Sequence, residues 1–289
     1  MDMIPRADHS FITRKYLDVS YSRTSEAQKL DLYLPEGGAG PFPLIAFIHG
    51  GAFASCDKAD CQVQPFLEGV KRGYAVASLD YRLSGEAVFP AGIHDVRAAL
   101  RFLRANAAAY HIDPDHVFAT GDSSGGNYTA MVCVLTGRRE LDDPALGNVG
   151  FSSDVQAGVA WFPPTAFLLM DSQLHENGLG PEDHNAADSP ESRYLGGQIT
   201  KLDPGYVEQA NPMTYVHQGM PPMLIQHGRR DHLVPWQQSK IFVEKIRSVC
   251  GADRVEFDIL ETADHADKQF ESPENMEKVF AFLDRMAGV

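Results

Sequence analysis

A chain of 289 residues, 44% hydrophobic and 22% charged, can bury one substantial globular core without disulfide or metal support. Its formal charge of −14 at pH 7 argues against nucleic acids and anionic membranes as partners, because both favour a basic surface. The longest apolar runs, such as 44–48, are too short to span a bilayer, so no membrane association is expected.

The N-terminus and the cysteines indicate where the protein works. Residues 1–6 lack the basic, apolar and small-residue order of a secretion signal, so we expect a cytoplasmic protein. The cysteines lack paired CxxC spacing, which favours reduced thiols over a disulfide framework or a zinc site. They are Cys56, Cys61, Cys133 and Cys250. A homodimer is compatible with the sequence.

Short β-like runs alternate with helical patterns along the chain, which predicts an α/β fold. Its mainly parallel central sheet should carry helices on both faces. A hairpin at 16–21 and 29–34 would supply an antiparallel edge. The strand candidates are 44–48, 74–79, 117–120, 155–161, 223–226 and 255–260. The helix candidates are 93–110, 236–249 and a last helix capped by Ser272. We therefore expect residues 1–289 to form a single domain.

One stretch, from 165 to about 203, does not follow this alternation. It consists of glycines, prolines and short polar clusters, and it is too long for a plain connection in a compact domain. We predict a cap or lid inserted over the site, with residues 1–25 as a second cap element. A disordered surface loop is the alternative. The candidate pocket walls are Trp161 and Phe162, which could equally be core, and Leu174.

Residues 121–125 read Gly-Asp-Ser-Ser-Gly and match the pattern G-x-S-x-G. They directly follow the predicted strand 117–120, as in a strand-turn-helix elbow that raises a serine above the sheet. This context makes Ser123 a candidate nucleophile. Ser124 cannot take that place, because Asp122 stands where the first glycine is required.

A serine hydroxyl is a weak nucleophile until a histidine accepts its proton. On a fold of this kind the partners follow in the order Ser, Asp or Glu, His, each after a later strand. Asp231 and His265 occupy such positions, and they are our candidates for the orienting acid and the base. Asp264 and Asp267 remain rival orienters, since they lie next to His265 in sequence.

Residues 49–53, His-Gly-Gly-Ala-Phe, follow the strand 44–48 and are a candidate oxyanion hole. Paired glycines allow a tight turn whose N–H groups face the serine. The expected donors are the N–H groups of Gly51, Ala52 and Ser124. A tight turn without a catalytic role is the alternative.

Together, these motifs resemble the hormone-sensitive-lipase-like branch of the α/β-hydrolases, bacterial carboxylesterases with an HGG turn, a GDSAGG elbow and late Asp and His loops. The resemblance covers roughly residues 28 to 270 and includes the connecting elements 80–83, 89–91, 94–95 and 113–114. It implies the α/β-hydrolase fold, an acyl-enzyme on Ser123 and no cofactor or metal. It also implies a scaffold role for residues 80–82.

Two positions depart from the family pattern. Ser124 replaces the usual alanine, and Ala52 replaces the third glycine of many members. Neither change removes an N–H donor, but the methyl of Ala52 puts acceptance of bulky tertiary alcohols in doubt.

The expected function is therefore a serine carboxylesterase for small to medium esters. Four alternatives remain open: a feruloyl or acetyl-carbohydrate esterase, a serine peptidase, a non-catalytic ligand-binding homologue and a metal hydrolase. The last would use His227, Asp231, His232 and His265.

The predicted cap is acidic, which bears on the substrate. Residues 165–200 hold six carboxylates and one arginine, Arg193. The carboxylates are Asp171, Glu176, Glu182, Asp183, Asp188 and Glu191. A like-charged rim slows the approach of anions, so we expect neutral or cationic esters as small-molecule partners.

Overall fold

A computed structural model describes residues 4–288 and contains one eight-stranded sheet. The strand order is β1-β2-β4-β3-β5-β6-β7-β8. The strands are β1 (Lys15–Ser20), β2 (Lys29–Tyr33), β3 (Phe42–Ile48), β4 (Ala75–Leu79), β5 (Ile112–Asp122), β6 (Ala157–Trp161), β7 (Met223–Gly228) and β8 (Val255–Leu260). β2 pairs antiparallel with β1 and with β4, and every later pairing is parallel. The predicted fold class, with its antiparallel edge hairpin, is confirmed.

The helices cover both faces of this sheet. Within the described residues they are α1 (Gln64–Leu67), α2 (Ala91–Ala105), α3 (Ser123–Val134), α4 (Met170–Asn177), α5 (Pro190–Leu195), α6 (Pro204–Glu208), α7 (Gln237–Cys250) and α8 (Pro273–Ala287). Short 3-10 turns join several of them. Inside residues 4–288, none of these helices has the length and apolar character that a membrane crossing requires.

Side chains alternate across the strands and build a separate core on each face. In β3, Leu44, Ala46 and Ile48 pack into the core shared with α2, α3 and α7. Ile45 and Phe47 point to the opposite core, which contains α1 and α8. A strand buried on both faces reads as a continuous apolar run, as β3 does.

The inserted segment 165–203 contains α4 and α5, joined by turns. It packs against the turn that follows β3, where Tyr194 stacks on Phe53 with a ring separation of 4.0 Å. Phe167 lies edge-on to the same ring at 6.0 Å. The segment is therefore attached to the turn predicted to form an oxyanion hole.

Part of the second predicted cap element, residues 1–3, lies outside the described residues. From Ile4 onward the chain runs beside residues 59–61. The N–H of Ala7 donates to the carbonyl of Ala59 at 2.9 Å, and the N–H of Cys61 donates to the carbonyl of Pro5 at 2.7 Å.

Candidate active site

Ser123 lies between β5 and α3 with a left-handed backbone angle, φ = +52°. The flanking glycines are required by close backbone contacts. A Cβ on Gly121 would be 2.6 Å from the carbonyl oxygen of Ile48, and a Cβ on Gly125 would collide with that same oxygen. The elbow is thus packed directly against the end of β3, and its shape raises the Ser123 hydroxyl above the sheet.

The side chains of Ser123, His265 and Asp231 form a continuous hydrogen-bonded chain. His265 Nε2 lies 3.1 Å from Ser123 Oγ, and His265 Nδ1 lies 2.8 Å from Asp231 Oδ2. These residues follow β5, β8 and β7. The carboxyl ends of parallel strands lie at one edge of the sheet, and this brings the three side chains together. The structure brings together the three residues that the sequence selected.

Asp231 is completely buried, and its second oxygen is held by the main chain. Oδ1 accepts the N–H groups of Leu233 at 3.0 Å and Val234 at 2.8 Å. Burial alone would raise the pKa of Asp231, but His265 and His227 lower it well below its usual range. The group is therefore a carboxylate that can orient His265 and stabilise its charged form.

The rival carboxylates serve other parts of the loop. Asp264 Oδ1 accepts the N–H of His265 at 2.6 Å and lies 2.6 Å from Nδ1 of His232. Asp267 Oδ1 accepts the N–H of Gln269 at 2.9 Å. Of these three carboxylates, Asp231 is the one that contacts the His265 ring.

The turn after β3 presents N–H groups to the same cavity. Gly51, Ala52 and Phe53 have φ values of +113°, +56° and +60°. The N–H of Gly50 is anchored to Gln62 Oε1 at 2.7 Å. Among residues 4–288, the N–H groups of Gly51 and Ala52 have no acceptor. They are therefore free to bind an oxyanion.

Ser124 adds a third N–H group, because it lies in the first turn of α3. N–H groups there have no acceptor within the helix. Gly51, Ala52, Ser123 and Ser124 all line one cavity. The helix N-terminus also favours negative charge at that place.

This cavity has a volume of about 350 Å³ and also contains His265. Its apolar walls include Ile4, Phe53, Pro164, Pro190, Leu233 and Val234. Four further ionisable residues line it: Cys56, Asp122, His184 and Glu191. Burial raises the pKa of Asp122 to about 7 and raises the pKa of the Cys56 thiol.

The predicted pocket walls lie elsewhere. Leu174 is completely buried, since α4 turns it inward. Trp161 and Phe162 line a neighbouring cavity of about 80 Å³. The Phe162 ring stands edge-on to His265 with a centroid separation of 4.7 Å, so it supports the imidazole from behind.

Sequence reasoning did not single out His184 or Ile4 as cavity residues, and it named Glu191 only as one of the carboxylates of the predicted cap. His184 and Glu191 sit in the segment without periodicity, and Ile4 comes from a part of the chain distant in sequence. Leu233 and Val234 did carry a signal, because they lie two and three residues after Asp231 on the same loop.

The residues of the metal-hydrolase alternative are engaged in hydrogen bonds. His227 Nε2 lies 2.8 Å from the carbonyl oxygen of Val234, and its Nδ1 lies 2.7 Å from Ser239 Oγ. Across residues 4–288, no three His, Cys, Asp or Glu side chains are grouped to hold a metal ion.

Sheet order, elbow and site together define an α/β-hydrolase fold. The chain belongs to the BD-FAE family, whose model matches residues 30–246. This confirms the resemblance to α/β-hydrolase esterases read from the motifs.

Individual relatives agree with this placement. Esterase LipQ of Mycobacterium tuberculosis is 31% identical over 255 residues, which are 86% of this chain and 56% of that protein. The chain spans about half the length of the curated relatives that it matches.

Two solved structures are similar over nearly the whole chain. One is described as a truncated form of a carbohydrate esterase from gut microbiota. It has a TM-score of 0.84 and 28% identity, and the match covers 98% of this chain and 100% of that one. The other is a bifunctional GH43-CE of Bacteroides eggerthii. It has a TM-score of 0.83 and 30% identity, and the match covers 94% of this chain and 35% of that one.

Proposed function

We propose that the protein is a serine carboxylesterase that hydrolyses small to medium esters through an acyl-enzyme on Ser123. The observation that carries the proposal is the chain from Ser123 Oγ to His265 Nε2 at 3.1 Å and from His265 Nδ1 to Asp231 at 2.8 Å. Membership of an α/β-hydrolase family and the similarity to LipQ support it.

In the first half-reaction, Ser123 Oγ attacks the ester carbonyl carbon while His265 Nε2 takes the hydroxyl proton. The developing oxyanion accepts hydrogen bonds from the N–H groups of Gly51, Ala52 and Ser124. When the carbon–oxygen bond breaks, the departing alcohol takes the proton from His265 and leaves Ser123 acylated.

In the second half-reaction, water replaces the alcohol. His265 takes a proton from the water, which attacks the acyl carbon, and then returns the proton to Ser123 Oγ as the acid leaves. Asp231 stays ionised throughout, because its lowered pKa reflects its contacts with two imidazoles. Its role is to orient His265 and to stabilise the charge on the ring.

The cavity supports a modest substrate with an apolar portion. A volume of about 350 Å³ with mostly apolar walls is at the small end of ligand pockets. Acetylated or feruloylated carbohydrates are a second candidate class, favoured by two similar structures described as a carbohydrate esterase and a GH43-CE.

The first test is Ser123→Ala. We expect hydrolysis of p-nitrophenyl acetate to fall by at least about 10³-fold without loss of folding, because the nucleophile is gone. Wild type should also gain the mass of one organophosphonate on Ser123, and the variant should not. Ser248→Ala, an exposed serine on α7, is the control for removing a hydroxyl. A Ser123→Ala variant that keeps most of the activity would refute the proposal.

The substrate class can be separated with purified wild-type protein. p-Nitrophenyl esters of increasing acyl length would be compared with acetylated xylo-oligosaccharides, methyl ferulate and a p-nitroanilide. Preference for the sugar or feruloyl ester supports the second candidate, whereas anilide turnover at a similar rate favours a peptidase.

A further inference from the structure

The loop that carries Asp231 is tied to the inserted segment by a buried imidazole, that of His184. We propose that His184 is a positioning residue, held as a doubly protonated imidazolium, and that this charge speeds ester hydrolysis by keeping the Asp231 loop in place. The inference rests on the proposed function.

The contacts of the ring define its protonation. Nδ1 of His184 lies 3.0 Å from Glu191 Oε2, and Nε2 lies 2.9 Å from the carbonyl oxygen of Leu233. A carboxylate and a carbonyl oxygen only accept hydrogen bonds, so both ring nitrogens must donate. Neutral histidine has a single ring N–H and can make only one of these bonds.

The surroundings favour the charged ring. Burial alone would lower the pKa of His184, but the hydrogen bond and charge of Glu191 outweigh it, with help from the Leu233 carbonyl and Asp171. The pKa is raised overall. The side chains of His184 and Glu191 are only 10% and 5% exposed, so solvent screens their attraction weakly.

The ionisable groups around His184 come from several elements. Glu191 lies on α5, and the Asp171 carboxylate on α4 accepts the backbone N–H of His184 at 2.8 Å. On the loop after β7, His232 is paired with Asp264. Across the shared cavity lie Cys56, Asp122 and His265.

Leu233 links this ring to the catalytic carboxylate. Its carbonyl accepts the hydrogen bond from His184, while its N–H donates to Asp231 Oδ1 at 3.0 Å. If His184 lost its proton, one ring nitrogen would present a lone pair to an acceptor, and one of its two contacts would be lost. A displaced Leu233 would remove a donor from Asp231 and misalign His265. The rate of acyl transfer should suffer more than substrate binding.

The predicted signature is an alkaline limb in the pH profile. Activity should fall at alkaline pH as His184 loses its proton. Because the pKa of His184 is raised, this contribution is complete at low pH and disappears as pH rises through that value. Its loss should lower kcat by about two- to tenfold, the effect of one hydrogen bond.

The experiment measures kcat and KM for p-nitrophenyl acetate from pH 5 to 10 in wild type, His184→Gln and His175→Gln. His175 is an exposed histidine of the same segment, paired with Glu182, and serves as the matched control. We expect kcat to fall at alkaline pH in wild type and in His175→Gln. In His184→Gln this fall should be absent, and kcat at neutral pH should be lower than in wild type. An unchanged alkaline limb in His184→Gln would overturn the inference.

A second measurement does not depend on activity. In the ¹⁵N spectrum of histidine-labelled wild type at pH 7, both ring nitrogens of His184 should carry protons. In Glu191→Gln, His184 should lose one of its two ring protons at a lower pH than in wild type. This shift also assigns the His184 resonances if His184→Gln does not fold. One unprotonated ring nitrogen at pH 7 would contradict the inference. If Ser123→Ala keeps full activity, the proposed function is refuted. The ¹⁵N spectrum would still show, independently, whether His184 is doubly protonated.

Discussion

Ser123 and Ala52 both adopt left-handed backbone angles, which cost roughly 1 kcal/mol or more for residues with a Cβ. Both residues line the cavity in which the oxyanion N–H groups and the Ser123 hydroxyl face the same point. The strain is held in place by fixed contacts, such as the bond from Gly50 N–H to Gln62. Side-chain identity and backbone angle therefore define the site together.

Asp231 and Asp264 offer a direct comparison of two carboxylates on neighbouring loops. Asp231→Asn should lower kcat by about 10⁴-fold, because an amide cannot stabilise the imidazolium and favours the wrong tautomer of His265. Asp264→Asn should cost far less, because Asp264 contacts the backbone N–H of His265 and not its ring. The measurement is kcat for p-nitrophenyl acetate in both variants, with folding checked by circular dichroism. A larger loss in Asp264→Asn would assign the orienting role to Asp264.

At the level of elements, the elbow depends on how closely α3 approaches the end of β3. Gly121 and Gly125 both face the carbonyl oxygen of Ile48, so the two outer glycines of G-x-S-x-G are a packing requirement. The same approach brings Ser124 N–H and Ala52 N–H to one cavity. The motif thus couples the nucleophile to its oxyanion donors.

Gly125→Ala tests this coupling. The added methyl would collide with the Ile48 carbonyl, which belongs to a central strand and cannot move cheaply. We expect a loss of about 3 kcal/mol or more in the free energy of unfolding, measured by urea denaturation. Gly85→Ala is the control, because a Cβ there meets no atom within 4 Å and should change stability by less than about 1 kcal/mol. Equal effects of the two substitutions would show that the close approach is not required.

Some elements were predictable and others were not, for physical reasons. β3, β7 and α8 carry apolar runs or periodic faces, and the sequence placed them within a few residues. Residues 124–134 of α3 are all buried, so this helix has no polar face and no periodic signal. Leu174 was misplaced as a pocket wall, since one apolar residue in an irregular segment does not reveal which way it points.

At the scale of the whole molecule, the site joins loops that follow β3, β5, β7 and β8. Chain order on a parallel sheet was enough to predict that Ser123, Asp231 and His265 would meet, because all three follow strands of one sheet. The contact between His184 and Leu233 was not predictable in this way. The contact depends on how the inserted segment folds over the edge of the sheet. The segment lies within residues 4–288 and contains no strand, so pairing within the sheet does not determine its position.

The charge of the inserted segment is partly neutralised in the structure. Asp171 accepts two backbone N–H groups, Glu191 pairs with His184, and Glu182 pairs with His175. Glu176, Asp183 and Asp188 are exposed. Of the six carboxylates, these three remain to repel an approaching anion, and Asp122 adds negative charge in the cavity when ionised.

A neutral ester should therefore be turned over faster than an analogue that carries a free carboxylate. We expect kcat/KM for p-nitrophenyl butyrate to exceed that for mono-p-nitrophenyl glutarate, and added salt to narrow the gap, since salt screens exposed charges. The measurement compares both esters at about 20 mM and about 500 mM NaCl, at which the screening length falls from roughly 20 Å to about 4 Å. A variant combining Glu176→Gln, Asp183→Asn and Asp188→Asn should raise turnover of the anionic ester at low salt and leave the neutral ester unchanged. Equal kcat/KM for the two esters at low salt would show that the charge of the site does not select its substrate.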